Sequence, residues 1–443
     1  MTPAVPYSAR EQRGWYVYDW ANSAFYTTVV VVLLGPYLTA LAKSAAAADG
    51  TVPYFGFRVA AESVWPYSVS LSVFLQVFFL PVVGAYADFG HRKRELLGVL
   101  TLIGATATMA LYWVQGTAFM AGVLLYLFAN LAYGCCITVY NSFLPEIAPP
   151  EQRDTVSARG WAIGYFGGGL LLALNLWLYS NAERLGLTGG ESVRLGIASA
   201  GLWWLVFAIP ALWTLRNRVP ARQPEAGRGA LAAALGQLWH TLHALPQYPQ
   251  TLLFLVAYLI YNDAIQTVFA MASQFGAEEL KMSTADLTTA ILMVQFVAFG
   301  GAIVFNWVAA RWGSRRTIML TLAIWCFAVV LIYFWVYSVS QFYIAAAIVA
   351  TVMGGSQALS RSLFSFMIPK GQEAEYYSVY EISDKGTSWL GPLFFGVALS
   401  LTHNFRIAIV SLILFFVVGL VLLSRVDVAR AAREAGNEPP AVL

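Results

Sequence analysis

Two acidic side chains lie inside apolar stretches of this chain, and each has polar neighbours at helical spacing. Asp19 is followed one turn later by Asn22. Asp263 directly follows Asn262, and Gln266 comes one turn after it. A carboxylate within lipid costs about 2.5–3.5 kcal/mol on insertion scales, so such a group is expected to face protein or water and to have a function. Reversible protonation is the chemistry that these positions indicate.

The composition is that of an integral membrane protein. The 443 residues are 59% hydrophobic and only 11% charged, with a mean hydropathy of +0.65, whereas a soluble domain has about 25% charged residues. The net charge of +3 is small. No basic block is long enough to indicate nucleic-acid binding. The chain is therefore expected to contact a lipid bilayer and not a nucleic acid.

Apolar runs bounded by charged or Pro/Gly-rich loops predict an all-α fold of twelve transmembrane helices. The approximate spans are 15–42, 64–87, 95–114, 118–141, 158–180, 195–215, 250–272, 286–309, 317–337, 341–363, 378–401 and 404–424. All but six of the 26 Lys and Arg residues fall on one side of this arrangement. The positive-inside rule then predicts that both termini are cytoplasmic.

A polar segment from Arg216 to Pro249 separates the first six spans from the last six. We expect an N-terminal bundle at 1–215, a cytoplasmic linker at 216–249, a C-terminal bundle at 250–424 and a cytoplasmic tail at 425–443. Leucines at helical spacing between Leu231 and Leu245 predict an interfacial helix within the linker.

The two halves carry matching loops. Ala87-Asp88-Phe-Gly90 before span 3 corresponds to Ala310-Arg311-Trp-Gly313 before span 9, and Ile147-Ala-Pro149 corresponds to Ile368-Pro369. The members of each pair are about 220 residues apart, which indicates a duplicated six-helix unit. This plan is typical of alternating-access transporters, in which two bundles rock about a central site.

Asp263 is predicted to be the most deeply placed acid. If its helix enters the membrane near Thr251, twelve residues place it about 18 Å deep, close to the middle of a core of about 30 Å. Asn262 and Gln266 share a broad face with it and are candidate cavity residues. A proton-coupling role is one interpretation, and a neutral structural aspartate is the other.

Asp19 lies only about 6 Å along its helix from Trp15, so we place it at the cytoplasmic mouth as an inner-gate residue. Asn22 and Tyr26 lie deeper and are the better candidates for solute contacts.

In span 4, Asn130 and Tyr133 belong to a polar and aromatic stripe that predicts a wet cavity, although tyrosine stripes also occur in ordinary interhelical packing. In span 5, Gly160, Gly164 and Gly168 predict close helix packing.

The stretch Gly84-Ala-Tyr-Ala-Asp88, followed by Arg92-Lys-Arg94, resembles the motif between helices 2 and 3 of the major facilitator superfamily. The Tyr-Asp-Trp-Ala-Asn-Ser-Ala-Phe segment ending at Phe25, and Asn141-Ser-Phe-Leu-Pro-Glu146, resemble the branch that includes vacuolar amino-acid effluxers of autophagy and their bacterial relatives. The resemblance implies twelve helices in two bundles and transport of a small solute, with amino-acid export implied for the fungal members. The second-half loop has Ala310 where the aspartate would stand.

Charged residues at predicted helix ends are gate candidates. Asp88 and Arg92 form a possible conformational latch, because an acid at a helix end can pair with a basic residue and release it when bundles move. Arg361 is a candidate partner for Glu381 or Asp384 across an inner gate, and plain positive-inside anchoring is the alternative for Arg361.

The sequence indicates no cofactor, no metal and no catalytic residue. The three cysteines lie in apolar segments, the four histidines have no metal-ligand spacing, and a phosphate-binding loop for ATP is lacking. We expect a monomeric secondary transporter of a small polar solute, with amino acids as a candidate class, protons as a candidate coupling ion and a bacterial plasma membrane as its location. The alternatives are a transporter-like sensor or scaffold without flux, and a membrane-embedded enzyme acting on lipids.

Overall fold

The computed structural model describes residues 8–89, 92–148, 153–217, 245–368 and 389–437, together with 236, 243, 376 and 380. For a few helix residues, Asp88 among them, it describes the backbone and not the side chain. Of the linker helix predicted between 231 and 245, only residues 236, 243 and 245 are described, and the gate candidates Glu381 and Asp384 lie outside the described residues.

Contacts divide the described chain into two units. The first comprises described residues within Met1–Ala45 and Phe78–Gly236, and the second those within Ala46–Val77 and Gln237–Leu443. The second unit therefore includes a segment of 32 residues, Ala46–Val77, that lies within the sequence of the predicted N-terminal bundle.

Helices of the first unit occupy the predicted apolar spans. They are α1 (Ala9–Ser44), α3 (Lys93–Ala110), α4 (Phe119–Ser142), α5 (Arg153–Ser180) and α6 (Gly189–Thr214). The helix α2 (Val64–Phe89) belongs to this unit only from Phe78 onward. α1 is the central element, because it packs along both α5 and α6, while α3 packs against α4 and α6. Large side chains of these helices fill the core, including the fully buried Trp15, Tyr18 and Trp204.

The second unit contains the start of α2 and the remaining long helices. These are α7 (Pro249–Glu279), α8 (Thr284–Trp312), α9 (Ser314–Trp335), α10 (Val339–Ser365), α11 (Leu390–Thr402) and α12 (Phe405–Ser424), followed by the short α13 (Val428–Glu434). α7 packs against α12, and α8 packs against α10. Ser283 begins α8 with a capping box in which its hydroxyl and the Asp286 carboxylate satisfy each other's backbone N–H groups.

Eleven described helices are long and apolar enough to cross a membrane, and α11 is the shorter apolar helix of the twelve. Its 13 residues span about 20 Å, less than the hydrocarbon core of about 30 Å. The predicted span 378–401 began earlier, but residues 381–388 are not described. The all-helical membrane class is confirmed, with α11 at the position of the eleventh predicted helix.

α1 differs from the simple helix that the sequence predicts. It begins at Ala9, before the predicted start, and its middle section from Phe25 to Leu33 is π-helical. A π-helical section rotates the following side chains relative to a regular α-helix, and such sections are frequent at functional sites. The section begins directly after Ser23 and Ala24, six residues beyond Asp19.

A short β-hairpin, β1 (Thr51–Tyr54) and β2 (Phe57–Ala60), lies between α1 and α2. Phe55 and Gly56 both have positive φ at its two-residue turn, as a tight hairpin requires. Hydrogen bonds from Thr51 to the Asp49 carboxylate close its base and lower the pKa of Asp49. Val52 and Tyr54 of β1 are buried and Pro53 between them is exposed, an alternation too short to indicate a strand in the sequence.

Candidate solute and proton sites

α5 meets the polar face of α1 directly at Asp19. A Cβ atom at Gly164 of α5 would lie only 2.8 Å from the Ser23 hydroxyl oxygen and 3.0 Å from the Asp19 carboxyl carbon. Real Cβ atoms essentially never approach heavy atoms closer than 3.0 Å. Glycine at this position is therefore what allows the Asp19 carboxyl group to lie against the α5 backbone.

The other predicted packing glycines of α5 act in the same way. A Cβ at Gly160 would lie 2.5 Å from the Trp15 ring, and one at Gly168 would lie 3.0 Å from the Thr27 hydroxyl. The predicted role of the glycine stripe in close packing is confirmed by these contacts, and the partner helix is α1.

Asp19 is buried among hydroxyl-bearing side chains, with 9% of its surface exposed. Its carboxyl group lies beside Ser23 and Tyr140, and Tyr133 and Tyr165 are close enough to interact with it electrostatically. Among the residues that the structure describes, Asp19 makes no ion pair. It therefore lies in a polar, aromatic environment and does not contact a basic side chain.

Asn22 is more deeply buried than Asp19, at 1% exposure. Neither its amide oxygen nor its amide nitrogen has a hydrogen-bond partner among the described residues. Because an unpaired buried polar group costs about 1–3 kcal/mol, these atoms indicate a place where water or a ligand completes the hydrogen bonding.

The remaining predicted cavity residues of this unit differ in accessibility. Tyr26 and Tyr133 are half-buried and stack with ring centroids 6.1 Å apart, while Asn130 is buried on the same helix as Tyr133. Tyr140, from the same polar stripe, stacks on Trp15 at 4.2 Å. The stripe thus combines core packing near Tyr140 with an accessible part at Tyr133.

Asp263 occupies the middle of the 31-residue helix α7, as its predicted depth requires, and is 1% exposed. One carboxyl oxygen accepts the backbone N–H of Gly391 at 2.7 Å, in the first turn of α11. The other oxygen has no partner among the described residues. A carboxylate at a helix N-terminus is favoured by the helix dipole, so α11 holds this side chain in place.

Asn262 and Asp263 are adjacent in sequence but contact different helices. The Asn262 amide oxygen lies 3.4 Å from the Gln357 amide nitrogen of α10, whereas Asp263 contacts α11. Gln266 is half-buried. Within the second unit, Asn262 and Gln357 form the polar pair, and Asp263 stands apart from it.

The structure describes only some of the proposed gate and latch residues. Arg92 is exposed at the start of α3, and the side chain of its proposed partner Asp88 is not described. Arg361 is exposed near the end of α10. The proposed pairs therefore remain predictions.

An ion pair that the sequence analysis missed joins two of its motifs. Lys93, the first residue of α3, contacts Glu146 at 2.7 Å, and both side chains are largely buried. Glu146 lies in a single helical turn, Leu144–Ile147, after α4. Both residues belong to quoted motifs, but their separation of 53 positions hides the contact in the sequence.

The start of α2 is tied to α11 by a second group of contacts that the sequence did not reveal. The Ser63 and Ser400 hydroxyls lie 2.9 Å apart, and the Tyr67 hydroxyl lies 3.0 Å from Ser400. Beside them, His403 contacts Glu62 at 2.6 Å. These contacts explain why this part of α2 belongs to the second unit.

Among the described residues, no group of three or more His, Cys, Asp or Glu side chains is arranged to hold a metal ion.

The sequence matches a family model described as "Vacuole effluxer Atg22 like" over residues 7–436. The MFS-type transporter YxiO of Bacillus subtilis is 28% identical over 419 residues, covering 94% of each chain. Autophagy-related protein 22 of Saccharomyces cerevisiae (strain S288c) is 26% identical over 497 residues, covering 96% of this chain and 92% of its own.

Solved transporters share the fold at much lower identity. The nucleoside transporter NupG superposes with a TM-score of 0.66 at 13% identity, covering 94% of this chain and 97% of its own. A peptide transporter, POT, crystallised with sulfate, gives 0.65 at 14% identity, with coverage of 97% and 98%. Since the family model spans nearly the whole chain and the neighbouring structures share its architecture, the chain belongs to the Atg22-like vacuole effluxer family and is a membrane transporter of the major facilitator type.

Proposed function

We propose that this protein is a secondary active transporter that moves a small polar solute by alternating access and couples this movement to protons. Amino acids are the first solute class to test. The family description "effluxer" supports transport, and the nucleoside and peptide transporters with the same fold support a small polar solute. The protein acts as a monomer, without cofactor or catalytic activity.

Proton coupling is carried by one observation, the half-satisfied carboxyl group of Asp263. A carboxylate in the middle of a membrane helix is costly unless it is compensated. Here only one of its oxygens has a partner among the described residues, the Gly391 N–H. Protonation removes the charge, and the free oxygen is the atom at which the proton is taken up and released.

The proposed solute contacts are Asn22, Tyr26, Asn130 and Tyr133 in the first unit and Asn262 and Gln266 in the second. Conformational change involves the latch Asp88 and Arg92 and the inner-gate residues Arg361, Glu381 and Asp384. The moving bodies are a bundle at 1–215 and a bundle at 250–424, with a cytoplasmic linker at 216–249 and a cytoplasmic tail at 425–443. The protein resides in a bacterial plasma membrane with both termini in the cytoplasm.

Counterflow in proteoliposomes tests the proposal. The purified full chain is reconstituted, loaded with an unlabelled solute and given the same labelled solute outside, using amino acids, nucleosides and sugars in turn. We expect labelled solute to accumulate transiently for at least one class, and liposomes without protein serve as the control. A solute that stabilises the protein against heat but shows no counterflow would instead identify a sensor.

A further inference from the structure

We infer that Asp19, with the tyrosines around it, forms a subsite for the protonated amino group of the solute. The inference deepens the proposed transport function, on which it rests, because it assigns a charged chemical class to part of the solute. It also replaces the inner-gate role expected for Asp19.

The carboxyl group of Asp19 lacks the partner that an ion-pair gate needs. Its described neighbours are the hydroxyls of Ser23 and Tyr140 and the backbone of Gly164. A buried anion is costly unless a positive charge compensates it or it takes up a proton. In the described part of the chain no Lys, Arg or His pairs with it, so a cation from the solute is the natural complement.

Aromatic rings supply a second attraction for a cation. Tyr133, Tyr140 and Tyr165 all lie close enough to Asp19 to interact electrostatically with it, and Tyr26 stacks with Tyr133. The face of a tyrosine ring attracts ammonium groups. A carboxylate beside several tyrosines is therefore suited to an ammonium group and poorly suited to an anion.

Access to the subsite is from the side of Tyr133 and Tyr165. Tyr133 is half-buried and Tyr165 is 48% exposed, whereas Asp19 and Asn22 are buried. At Gly164 the missing side chain brings the α5 backbone against the carboxyl group.

Asn22 extends the recognition beyond the ammonium group. It lies three residues after Asp19, so the two share a helix face. Its amide offers an acceptor and two donors, and neither heavy atom has a described partner. A solute that bears hydroxyl, amide or carboxylate oxygens near its amino group would satisfy these atoms, as an amino acid does.

The carboxyl group of Asp263 has different surroundings from that of Asp19. Its carboxylate already accepts the Gly391 N–H at a helix start, and both this carboxylate and the Thr267 hydroxyl lie close to Gly391. The two buried acids therefore have separate tasks, solute recognition for Asp19 and proton exchange for Asp263.

Thermal unfolding of the purified full chain tests the inference with paired probes. Each standard amino acid is compared with its N-acetylated form, and putrescine and choline are included as amines without a carboxylate. We expect stabilisation by compounds with a positive nitrogen and none by the acetylated forms. Stabilisation by amino acids alone would assign the subsite to amino acids, and stabilisation also by putrescine or choline would assign it to amines in general.

Substitutions at Asp19 and Tyr133, with one control, test whether these side chains bind the amine. Asp19→Asn removes the charge at nearly constant shape and should weaken amine binding about ten- to a hundredfold, while Asp49→Asn, in the exposed hairpin loop, should leave it unchanged. Tyr133→Phe should retain binding and Tyr133→Leu should weaken it, because only the second removes the ring. Wild-type affinity in Asp19→Asn, or stabilisation of the wild-type protein by uncharged solutes alone, would overturn the inference.

The outcome is separable from that of the transport proposal. Counterflow of an uncharged solute, without amine binding, would leave transport intact and reject the ammonium subsite. Amine binding that depends on Asp19, without counterflow of any amine, would retain the subsite and reject transport.

Discussion

The two buried acids illustrate what residue types alone can and cannot reveal. Asp19 and Asp263 were both identifiable from the sequence, because each is an acid in an apolar run with polar residues one turn away. Their partners were not identifiable. Gly391 lies 128 positions from Asp263, and Gly164 lies far along the chain from Asp19, so only the folded packing reveals that one acid accepts a backbone N–H and that the other lies among hydroxyl groups.

Asp263→Asn tests the proton site. The amide oxygen of asparagine can still accept the Gly391 N–H, so we expect the fold to be retained. Asparagine cannot exchange a proton, and accumulation driven by an imposed pH gradient should be lost while solute exchange partly persists. Both are measured in proteoliposomes with the solute found by counterflow.

Asp49→Asn is the matched control for this substitution, because Asp49 lies in the exposed hairpin loop outside the membrane helices. Accumulation that responds to the pH gradient as in the wild-type protein would show that Asp263 is a structural aspartate.

At the scale of elements, hydropathy located the helices well because burial in lipid is a property of whole runs of residues. The described helices coincide with the predicted spans except at the ends and at α11. The π-helical section of α1 and the hairpin could not be found in this way. They depend on local hydrogen bonding, and a short hairpin adds little to a hydropathy average.

The glycines of α5 provide a test of helix packing. Gly167 faces the Trp20 backbone, and a Cβ there would lie 2.6 Å from the Trp20 carbonyl oxygen, which has little freedom to move. We expect Gly167→Ala to destabilise the protein by about 1–3 kcal/mol through overpacking. The melting temperature in detergent would show this loss.

Gly169 on the same helix is the control, because a Cβ there meets no atom within 4 Å. Gly169→Ala should leave stability unchanged or raise it slightly, since alanine favours helix. Equal destabilisation by both substitutions would contradict the packing explanation.

Helix capping provides a second test at this scale. Ser283 closes a capping box on α8, whereas Ser8 stands at the start of α1 and makes no side-chain cap. Ser283→Ala should therefore cost about 0.5–2 kcal/mol and Ser8→Ala close to nothing. Chemical denaturation of the two variants in the same detergent compares them, and a larger loss for Ser8→Ala would refute this assignment.

At the scale of the whole molecule, the duplicated loops allowed the sequence to predict two six-helix halves. In the folded chain, the described residues of Ala46–Val77 group with the second unit, although they belong to the first half of the sequence. A sequence repeat reflects the duplication of an ancestral unit, whereas contacts reflect how the helices pack in the folded chain. The hydroxyl contacts between the start of α2 and α11 could not be read from a repeat, because they join different helices of the two halves.

Membrane topology is the last prediction, and it depends on whether α11 crosses the bilayer. Twelve crossings place both termini on the cytoplasmic side, where most Lys and Arg residues fall. Eleven crossings would place Arg425, which directly follows α12, on the same side as the hairpin loop. Labelling of single cysteines with a membrane-impermeant maleimide distinguishes these arrangements.

The labelling background is low, because Cys135 and Cys136 are buried and Cys326 is partly buried and can be replaced by serine. Asp49→Cys should react in intact cells, because the hairpin loop follows the first crossing. Arg425→Cys, although exposed, should react only after the membrane is permeabilised. Reaction of both in intact cells would mean that α11 does not cross, and the alternating arrangement of two six-helix bundles would then have to be abandoned.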